Sequence, residues 1–442
     1  MDYSIGNKYN KELLLDRGYR MHNMTDNLLK RLSSLKHKIN IAIIGTGSMG
    51  KGLAFQASIT PGMRCAAVID KDASKAVKAL DSLKIKWKSV KNKSEMRAAV
   101  SKGAVALCED PGLVTGSRQI DVVIEASDSI LEGAESMIAA IRNGKHAVMM
   151  NAEADQVFGP YLAKLAKKHG VVYTSCDGDQ HTVLKRLIDE MRLWGFKLVM
   201  AGNIKGYLNR YENPSSIVKE ADKRKQSHLM CSAMADGTKM NIEMSLISNA
   251  LGLSVQKAGM TGPKAGHVKD ALRLFDLKGI LRKGEAVADY ILGGEPGGGV
   301  FAIGHCDDPY QAGMMEYYKM GNGPFYVFYR PYHLCHVEAM RCIAEAYLDH
   351  TPLLVPEHGF KTNVIAYAKR DIGKWKRLDG LGGYDCYGLI ENSEEYNDGL
   401  PVCLSEYARL KHNIKKDGRI RLEDVIFENL RPIEIYRKAM CL

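Results

Sequence analysis

Residues 39–50 read INIAIIGTGSMG, an Ile-rich apolar run that ends in the turn Gly45-Thr46-Gly47-Ser48-Met49-Gly50. A short run without polar alternation is typical of a parallel strand that is covered on both faces. In a G-x-G-x-x-G turn the first glycine permits the tight bend, the second lets the backbone approach a pyrophosphate, and the third lets helix pack on strand. The following helix offers free N–H groups to that pyrophosphate. We therefore predict a dinucleotide site contacted by the six turn residues, with a ligand-free strand–turn–helix corner as the alternative.

The second predicted strand, residues 64–69, ends in Asp70. An acidic residue at this place usually accepts hydrogen bonds from the adenosine ribose, which favours NAD. Lys71 follows directly and, with Ser74 and Lys75, could accommodate the 2′-phosphate of NADP. The predicted cofactor is therefore NAD or NADP.

Strands and helices go on alternating along the first half of the chain, which predicts an α/β fold with a parallel sheet. Further strands are expected at residues 121–125 and 146–150, and a helix at 131–143. Ligands lie at the carboxyl ends of such strands. Those ends carry Ala126-Ser127 and Asn151-Ala152-Glu153, so we expect Ala126, Ser127 and Asn151 beside the nicotinamide.

The chain is long enough for two or three domains. We predict an NAD(P)-binding Rossmann domain at 1–153, with 331–350 packing back on it, a central α/β catalytic domain at 154–330, and a small β-rich domain at 351–442. Leucines at helical spacing predict amphipathic helices within 1–38. Residues 293–304 hold six glycines and a proline, which favours a loop.

Composition limits the possible partners. The net charge is +11 and the ten cysteines form no C-x-x-C pair, which argues against a zinc ribbon or a redox pair. The basic runs lack interleaved aromatic residues, so we expect no nucleic acid. With no secretory or membrane-spanning run, we expect a cytoplasmic homo-oligomer that acts on a small molecule and binds no membrane.

Asp236 and Lys239 are spaced i, i+3 at a predicted helix entrance, so both can face one pocket. A lysine there can polarise a carbonyl, or move a proton if burial lowers its pKa. The alternative is a capping aspartate and a surface lysine. Lys205, after a predicted strand, either meets a substrate phosphate or is solvated.

Further carboxylates lie near predicted strand ends. Glu153 and Asp155 could hold a divalent metal, order a substrate hydroxyl, or cap a helix, and two carboxylates alone are a weak magnesium signature. Asp179 and Gln180 either cap a helix or reach the substrate. The group His333, His336 and Glu338 lacks the spacing of a zinc motif, so we predict packed histidines there and leave the metal unknown.

Six segments resemble homoserine dehydrogenase-like oxidoreductases with a C-terminal SAF-type domain, a subgroup that includes the DXR-like (DRL) reductoisomerases. They are residues 39–50, 122–155 (with GKHAVMMNAEAD), 178–180, 235–251, 321–333 and 368–388 (AKRDIGKWKRLDGLGGYDCYG). Homoserine dehydrogenases carry Asn-Lys where this chain has Asn151-Ala152-Glu153.

The resemblance implies hydride transfer between NAD(P) and a small hydroxylated or phosphorylated carbonyl compound, and it supports Asp236 and Lys239 as catalytic residues. From their positions in the sequence we add Lys205 and Glu153 as catalytic candidates, and Asp155, Asp179 and Gln180 as candidates for substrate contact. In the reductoisomerase version, 1-deoxy-D-xylulose 5-phosphate becomes 2-C-methyl-D-erythritol 4-phosphate and a divalent metal is possible. The alternatives are a homoserine, sugar-phosphate or polyol-phosphate dehydrogenase without isomerisation, and a non-catalytic nucleotide sensor.

Overall fold

The computed structural model describes residues 28–394 and 398–441. Of the helices predicted within residues 1–38, the described part contains α1 (Leu28–Ser33), and the rest of that prediction lies outside the described residues. Among the described residues, no helix combines the length and apolar character needed to cross a membrane.

The first sheet has seven strands, all pairing in parallel, in the order β3-β4-β2-β1-β5-β6-β7. The strands are β1 (Ile39–Ile44), β2 (Met63–Ile69), β3 (Trp87–Ser89), β4 (Val105–Cys108), β5 (Val122–Glu125), β6 (His146–Met149) and β7 (Tyr173–Ser175). Ile39, Ile41 and Ile43 have no exposed surface, as expected for a strand covered on both faces. The predicted parallel α/β fold is confirmed, and the sheet continues through β7, beyond residue 153.

Helices cover this sheet on both faces. They are α2 (Ser48–Ile59), α3 (Ala73–Ser82), α4 (Lys93–Ser101), α5 (Pro111–Thr115), α6 (Ile130–Arg142) and α7 (Ala152–His169). The next helix, α8 (Gln180–Leu193), packs on the second sheet. The strand order reverses at β1: strands β2 to β4 lie on one side of β1 in the sheet, and strands β5 to β7 lie on the other side. Ligand crevices form at such a switch point, which places the crevice at the carboxyl ends of β1 and β5.

The second sheet has four strands in the order β11-β10-β8-β9. They are β8 (Lys197–Lys205), β9 (Val287–Leu292), β10 (Val300–His305) and β11 (Phe325–Arg330). The helices between these strands are α9 (Val218–Arg224), α10 (His228–Ala235), α11 (Thr238–Leu251), α12 (Ala271–Leu274), α13 (Leu277–Lys283) and α14 (Pro309–Tyr317).

The prediction of a loop at residues 293–304 is wrong for its second half, because that part of the chain forms β10 between β8 and β11. Val300 to Ile303 are buried, and burying their apolar side chains outweighs the local glycine content. Gly304 serves packing, because a Cβ there would lie 2.8 Å from the Met191 sulfur.

The C-terminal region returns to the first sheet before forming its own strands. Helix α15 (Cys335–Leu348) packs on α2, and a Cβ on Gly52 would lie 2.4 Å from the His336 ring. Two antiparallel pairs and one helix follow: β12 (Thr362–Ala368), β13 (Cys386–Asn392), β14 (Ala408–Leu410), β15 (Val425–Phe427) and α16 (Leu430–Met440). The SAF assignment stays a prediction.

Candidate active site

The glycine turn has the geometry that a dinucleotide needs. Gly45 has φ +88°, and a Cβ there would lie 2.8 Å from the Ala126 oxygen and the Ser127 backbone. A Cβ on Gly50 would lie 1.9 Å from the Gly45 oxygen, whereas a Cβ on Gly47 would meet nothing within 4 Å. The first and third glycines therefore serve packing, and the second leaves open space at the start of α2.

Asp70 holds the turn from the neighbouring strand. Its carboxylate accepts hydrogen bonds from the Thr46 N–H at 2.8 Å, from the Thr46 hydroxyl, and from the Asp72 N–H at 2.9 Å. Asp70 is almost completely buried, while Lys71 beside it is exposed. In this arrangement Asp70 orders the glycine turn, and Lys71 remains exposed beside it.

The loop after β5 packs against the glycine turn. The Ala126 N–H donates to the Ile44 oxygen at 2.9 Å, and the Ser127 N–H donates to Glu125 at 2.8 Å. Burial raises the pKa of Glu125 to about 7. On the next strand, Asn151 caps α7 through the Ala154 N–H at 3.0 Å and donates to the Ser129 oxygen at 3.2 Å. Asn151 thus ties together the two loops that face the crevice.

Lys239, at the start of α11, forms an ion pair with Glu153, at the start of α7. Their nitrogen and oxygen atoms are 3.0 Å apart, with 14% and 12% of the side-chain surfaces exposed. Burial alone lowers the pKa of Lys239, but the carboxylates of Glu153, Asp179 and Glu243 outweigh it and raise the pKa above its usual range. Lys239 is therefore a fixed cation on the cleft wall.

Asp179 and Gln180 follow β7 at the same edge of the sheet. Asp179 caps α8 through the Gln180 N–H at 2.9 Å. Burial raises the pKa of Asp179, but the charge of Lys239 leads the opposing effects and brings it below its usual value. The Gln180 side chain accepts from the Asn203 amide of β8 and lies 3.3 Å from the His333 ring. Both predicted substrate residues therefore lie at the junction of the two sheets.

Asp236 and Lys239 have different ion-pair partners. Its carboxylate lies 2.8 Å from the Lys369 ammonium, with 0% and 3% of the two side chains exposed, and it also accepts from the Thr238 N–H at 2.8 Å. Lys369 further donates to the Glu212 and Gly383 carbonyls. These contacts join the C-terminal region to the catalytic region, so Asp236 acts there as an anchor.

Lys205 is the last residue of β8 and donates to the Met234 oxygen at 2.7 Å. Burial lowers its pKa, although the charges of Glu243 and Asp236 oppose the shift. Burial also raises the pKa of Glu243 well above its usual value. The charges of Lys205 and Glu243 act on each other's pKa, so the two side chains lie near one another in the buried part of the site.

Asp155 and Glu153 do not share partners. Asp155 is buried and accepts from the Tyr173 hydroxyl at 2.6 Å and from the Ser175 hydroxyl at 2.5 Å, while Glu153 faces Lys239. Burial raises the pKa of Asp155 to about 6. The pair therefore does not form a two-carboxylate metal site, and Asp155 connects α7 to β7.

Two site residues were not identified from the sequence. Glu243 lies one helical turn after Lys239 on α11, a spacing that brings side chains onto one face, so the i, i+4 pattern was available. His181 is 3% exposed, and burial lowers its pKa to about 4. No local pattern marks His181, because its position beside Lys239 depends on the docking of α8 against α11.

Two family models match separate parts of the chain. Residues 178–339 match the model described as "Oxidoreductase DRL, catalytic domain". Residues 40–149 match the NAD-binding domain of 3-hydroxyacyl-CoA dehydrogenase, which confirms the predicted NAD(P) cofactor class. The first match includes Asp179, Lys205 and Lys239, and the second includes the glycine turn.

A homoserine dehydrogenase of Neisseria gonorrhoeae is 25% identical over 134 residues, 30% of this chain and 28% of the relative. The chain thus spans under a third of that relative. A solved structure of a probable dehydrogenase from Thermotoga maritima has a TM-score of 0.43 at 12% identity and covers 72% of this chain and 92% of its own. A DOX-P reductoisomerase with fosmidomycin and magnesium has a TM-score of 0.33 at 18% identity, covering 47% and 56%.

The two domain matches, together with the parallel sheet and its glycine turn, agree on one class. The chain is an NAD(P)-dependent oxidoreductase that is similar to the homoserine dehydrogenase-like and DRL oxidoreductases over these segments.

Proposed function

We propose that the chain catalyses NAD(P)-dependent hydride transfer to or from a small hydroxylated or phosphorylated carbonyl compound. The observation that carries this proposal is the Lys239–Glu153 pair, because it lies at the same sheet edge as the glycine turn. A fixed cation at this edge is suited to an oxygen that gains negative charge.

The nicotinamide would supply or accept the hydride when bound. The turn residues and the loops at Ala126, Ser127 and Asn151 hold the dinucleotide along the edge of the sheet. Lys239 donates hydrogen bonds to the substrate oxygen and stabilises its negative charge as the carbonyl carbon gains hydride. Its raised pKa makes this role electrostatic, because a permanently protonated lysine cannot act as a base. Glu153 orients the ammonium group.

The substrate oxygen also needs a proton. Glu243 is 5% exposed, and burial raises its pKa well above the usual value, so we assign it as the proton donor in this proposal. Lys205, whose pKa is lowered by burial, returns the proton to Glu243. General acids whose pKa is shifted toward neutrality by burial are effective at this task.

Within this class we propose the DXR-like reaction, in which rearrangement of 1-deoxy-D-xylulose 5-phosphate precedes reduction. Its support is the catalytic-domain match, which spans Asp179 to Lys239. Dehydrogenation of homoserine or of a sugar or polyol phosphate without isomerisation is the second candidate, favoured by the homoserine dehydrogenase relative.

The test is a screen of NADH and NADPH oxidation against deoxyxylulose phosphate, aspartate semialdehyde and other small oxo compounds. The expected result is turnover with one of them, reduced at least a hundredfold in Lys239→Met. The control is Lys415→Met, since Lys415 is 85% exposed and pairs only with Asp371 among the contacts of the described chain. A folded protein that binds cofactor yet turns over no compound would favour the nucleotide sensor instead.

A further inference from the structure

The segment between β11 and α15 brings a histidine and a cysteine to the substrate end of the cleft. His333 Nδ1 lies 3.7 Å from the Cys335 sulfur and 4.0 Å from an Asp179 oxygen. One ligand atom from each of the three residues lies within 4.8 Å of the other two, and all three residues are half-buried. The sequence separates Asp179 from His333 by more than 150 residues, so no local motif predicts the cluster.

We propose that Asp179, His333 and Cys335 bind a divalent transition-metal ion of the zinc class. Zinc bonds to N, O and S ligands are about 2.0–2.3 Å long, so tetrahedral ligand atoms lie about 3.3–3.8 Å apart. The observed separations of 3.7 and 4.0 Å, with the third within 4.8 Å, require the side chains to move inward by about 1 Å. A thiolate and an imidazole favour zinc over magnesium, which prefers an all-oxygen octahedron.

The neighbours of His333 can orient it as a ligand. Its Nε2 lies 3.3 Å from the Gln180 amide nitrogen, and Gln180 contacts Asn203. Asn203 is buried, and its side-chain oxygen has no hydrogen-bond partner among the described residues. If the Gln180 and Asn203 amides both turn over, Gln180 presents its oxygen to the His333 Nε2–H and donates through its nitrogen to the Asn203 oxygen. Metal-bound histidines usually donate their second N–H in this way.

Three protein ligands leave one coordination position for water or a substrate oxygen. The cluster lies at the sheet edge that carries Lys239, whose charge acts on Asp179. The proposed ion would therefore bind an oxygen-bearing substrate group beside the Lys239–Glu153 pair. The metal site does not depend on the proposed hydride transfer, because metal binding is measured directly.

The experiment is a titration of the metal-free, full-length protein with Co²⁺, followed by absorption spectroscopy. The expected result is one Co²⁺ per chain, with a thiolate-to-cobalt charge-transfer band, the visible bands of tetrahedral coordination, and loss of both on addition of Zn²⁺. Cys335→Ser should lose the charge-transfer band, and His333→Gln should bind Co²⁺ at least tenfold more weakly. The matched control Cys441→Ser, at an exposed cysteine, should behave as wild type.

A folded wild-type protein without the charge-transfer band, or a Cys335→Ser variant that keeps it, would overturn the proposal. Mg²⁺ binding without any sulfur band would overturn it too, because it would indicate an oxygen site elsewhere. If Cys335→Ser does not fold, alkylation of the wild-type protein decides: Zn²⁺ should protect Cys335 from iodoacetamide and leave Cys441 reactive. Equal labelling of Cys335 with and without Zn²⁺ would refute the site.

Discussion

Two alanine substitutions in the glycine turn should have different effects: one should weaken cofactor binding, and the other should lower the stability of the fold. Gly47 has φ −61° and ψ −170°, which alanine adopts freely, and its Cβ would meet nothing within 4 Å. As a helix N-cap, alanine is less favourable than glycine by about 1 kcal/mol or less. Gly47→Ala should therefore fold with nearly wild-type stability.

Gly47→Ala should instead weaken cofactor binding, because the new methyl group occupies the space where a pyrophosphate would approach the backbone. Losing one charge-assisted hydrogen bond costs about 1.5–3 kcal/mol, and every 1.4 kcal/mol is about tenfold in affinity. We expect the Kd for the preferred cofactor to rise about tenfold to a hundredfold, measured by nucleotide fluorescence.

Gly50→Ala should show the opposite pattern. Its Cβ would lie 1.9 Å from the Gly45 oxygen, a backbone atom that cannot move without opening the turn. Overpacking of this kind costs about 3 kcal/mol or more, which lowers the melting temperature of a domain of this size by roughly 6–12 °C. Wild-type affinity in Gly47→Ala, or wild-type melting in Gly50→Ala, would refute this account of the turn.

Three further outcomes are expected. Lys369→Met should destabilise the protein by about 3–5 kcal/mol in denaturant unfolding, because the substitution leaves the Asp236 carboxylate buried beside an apolar side chain. The double variant with Asp236→Asn should recover part of the lost stability. Burial raises the pKa of Glu125 from 4.5 to about 7. The unfolded chain therefore releases this proton at a lower pH than the folded chain does, and the free energy of unfolding falls by about 3 kcal/mol as the pH rises between those values. Melting curves recorded against pH should lack this decrease in Glu125→Gln. Glu153→Gln should lower kcat at least tenfold while the cofactor Kd stays within twofold of wild type, because Glu153 contacts Lys239 and not the turn; an equal loss of cofactor affinity would contradict this.

The cofactor half of the fold was predictable because its signals are local. The Ile39–Ile44 strand, the glycine turn and the acidic end of β2 lie within about thirty residues, and each follows from backbone sterics or burial. The strand β10 (Val300–His305) was missed because a glycine-rich stretch reads as a loop until its neighbours β8 and β11 are known. In that case tertiary burial overrides local propensity.

The side chains of the candidate site were only partly predictable. Lys239 was selected from its spacing to Asp236, yet its observed partner is Glu153, 86 residues away. Asp236 faces Lys369 of the C-terminal region instead. His333 was expected to be a packed histidine, and only the fold places it beside Asp179. These pairings depend on how helices dock across the two sheets, which spacing along one helix does not encode.

Deuteride transfer is the measurement that tests the central claim most directly. NADH and NADPH deuterated at C4 of the nicotinamide would be incubated with the wild-type protein and the panel of small oxo compounds, and the products analysed by mass spectrometry. The account predicts one deuterium on a carbon of one reduced product with wild type, and none with a Lys239→Met protein that still binds cofactor. Absence of label in every product, from a folded wild-type protein with cofactor bound, would contradict it.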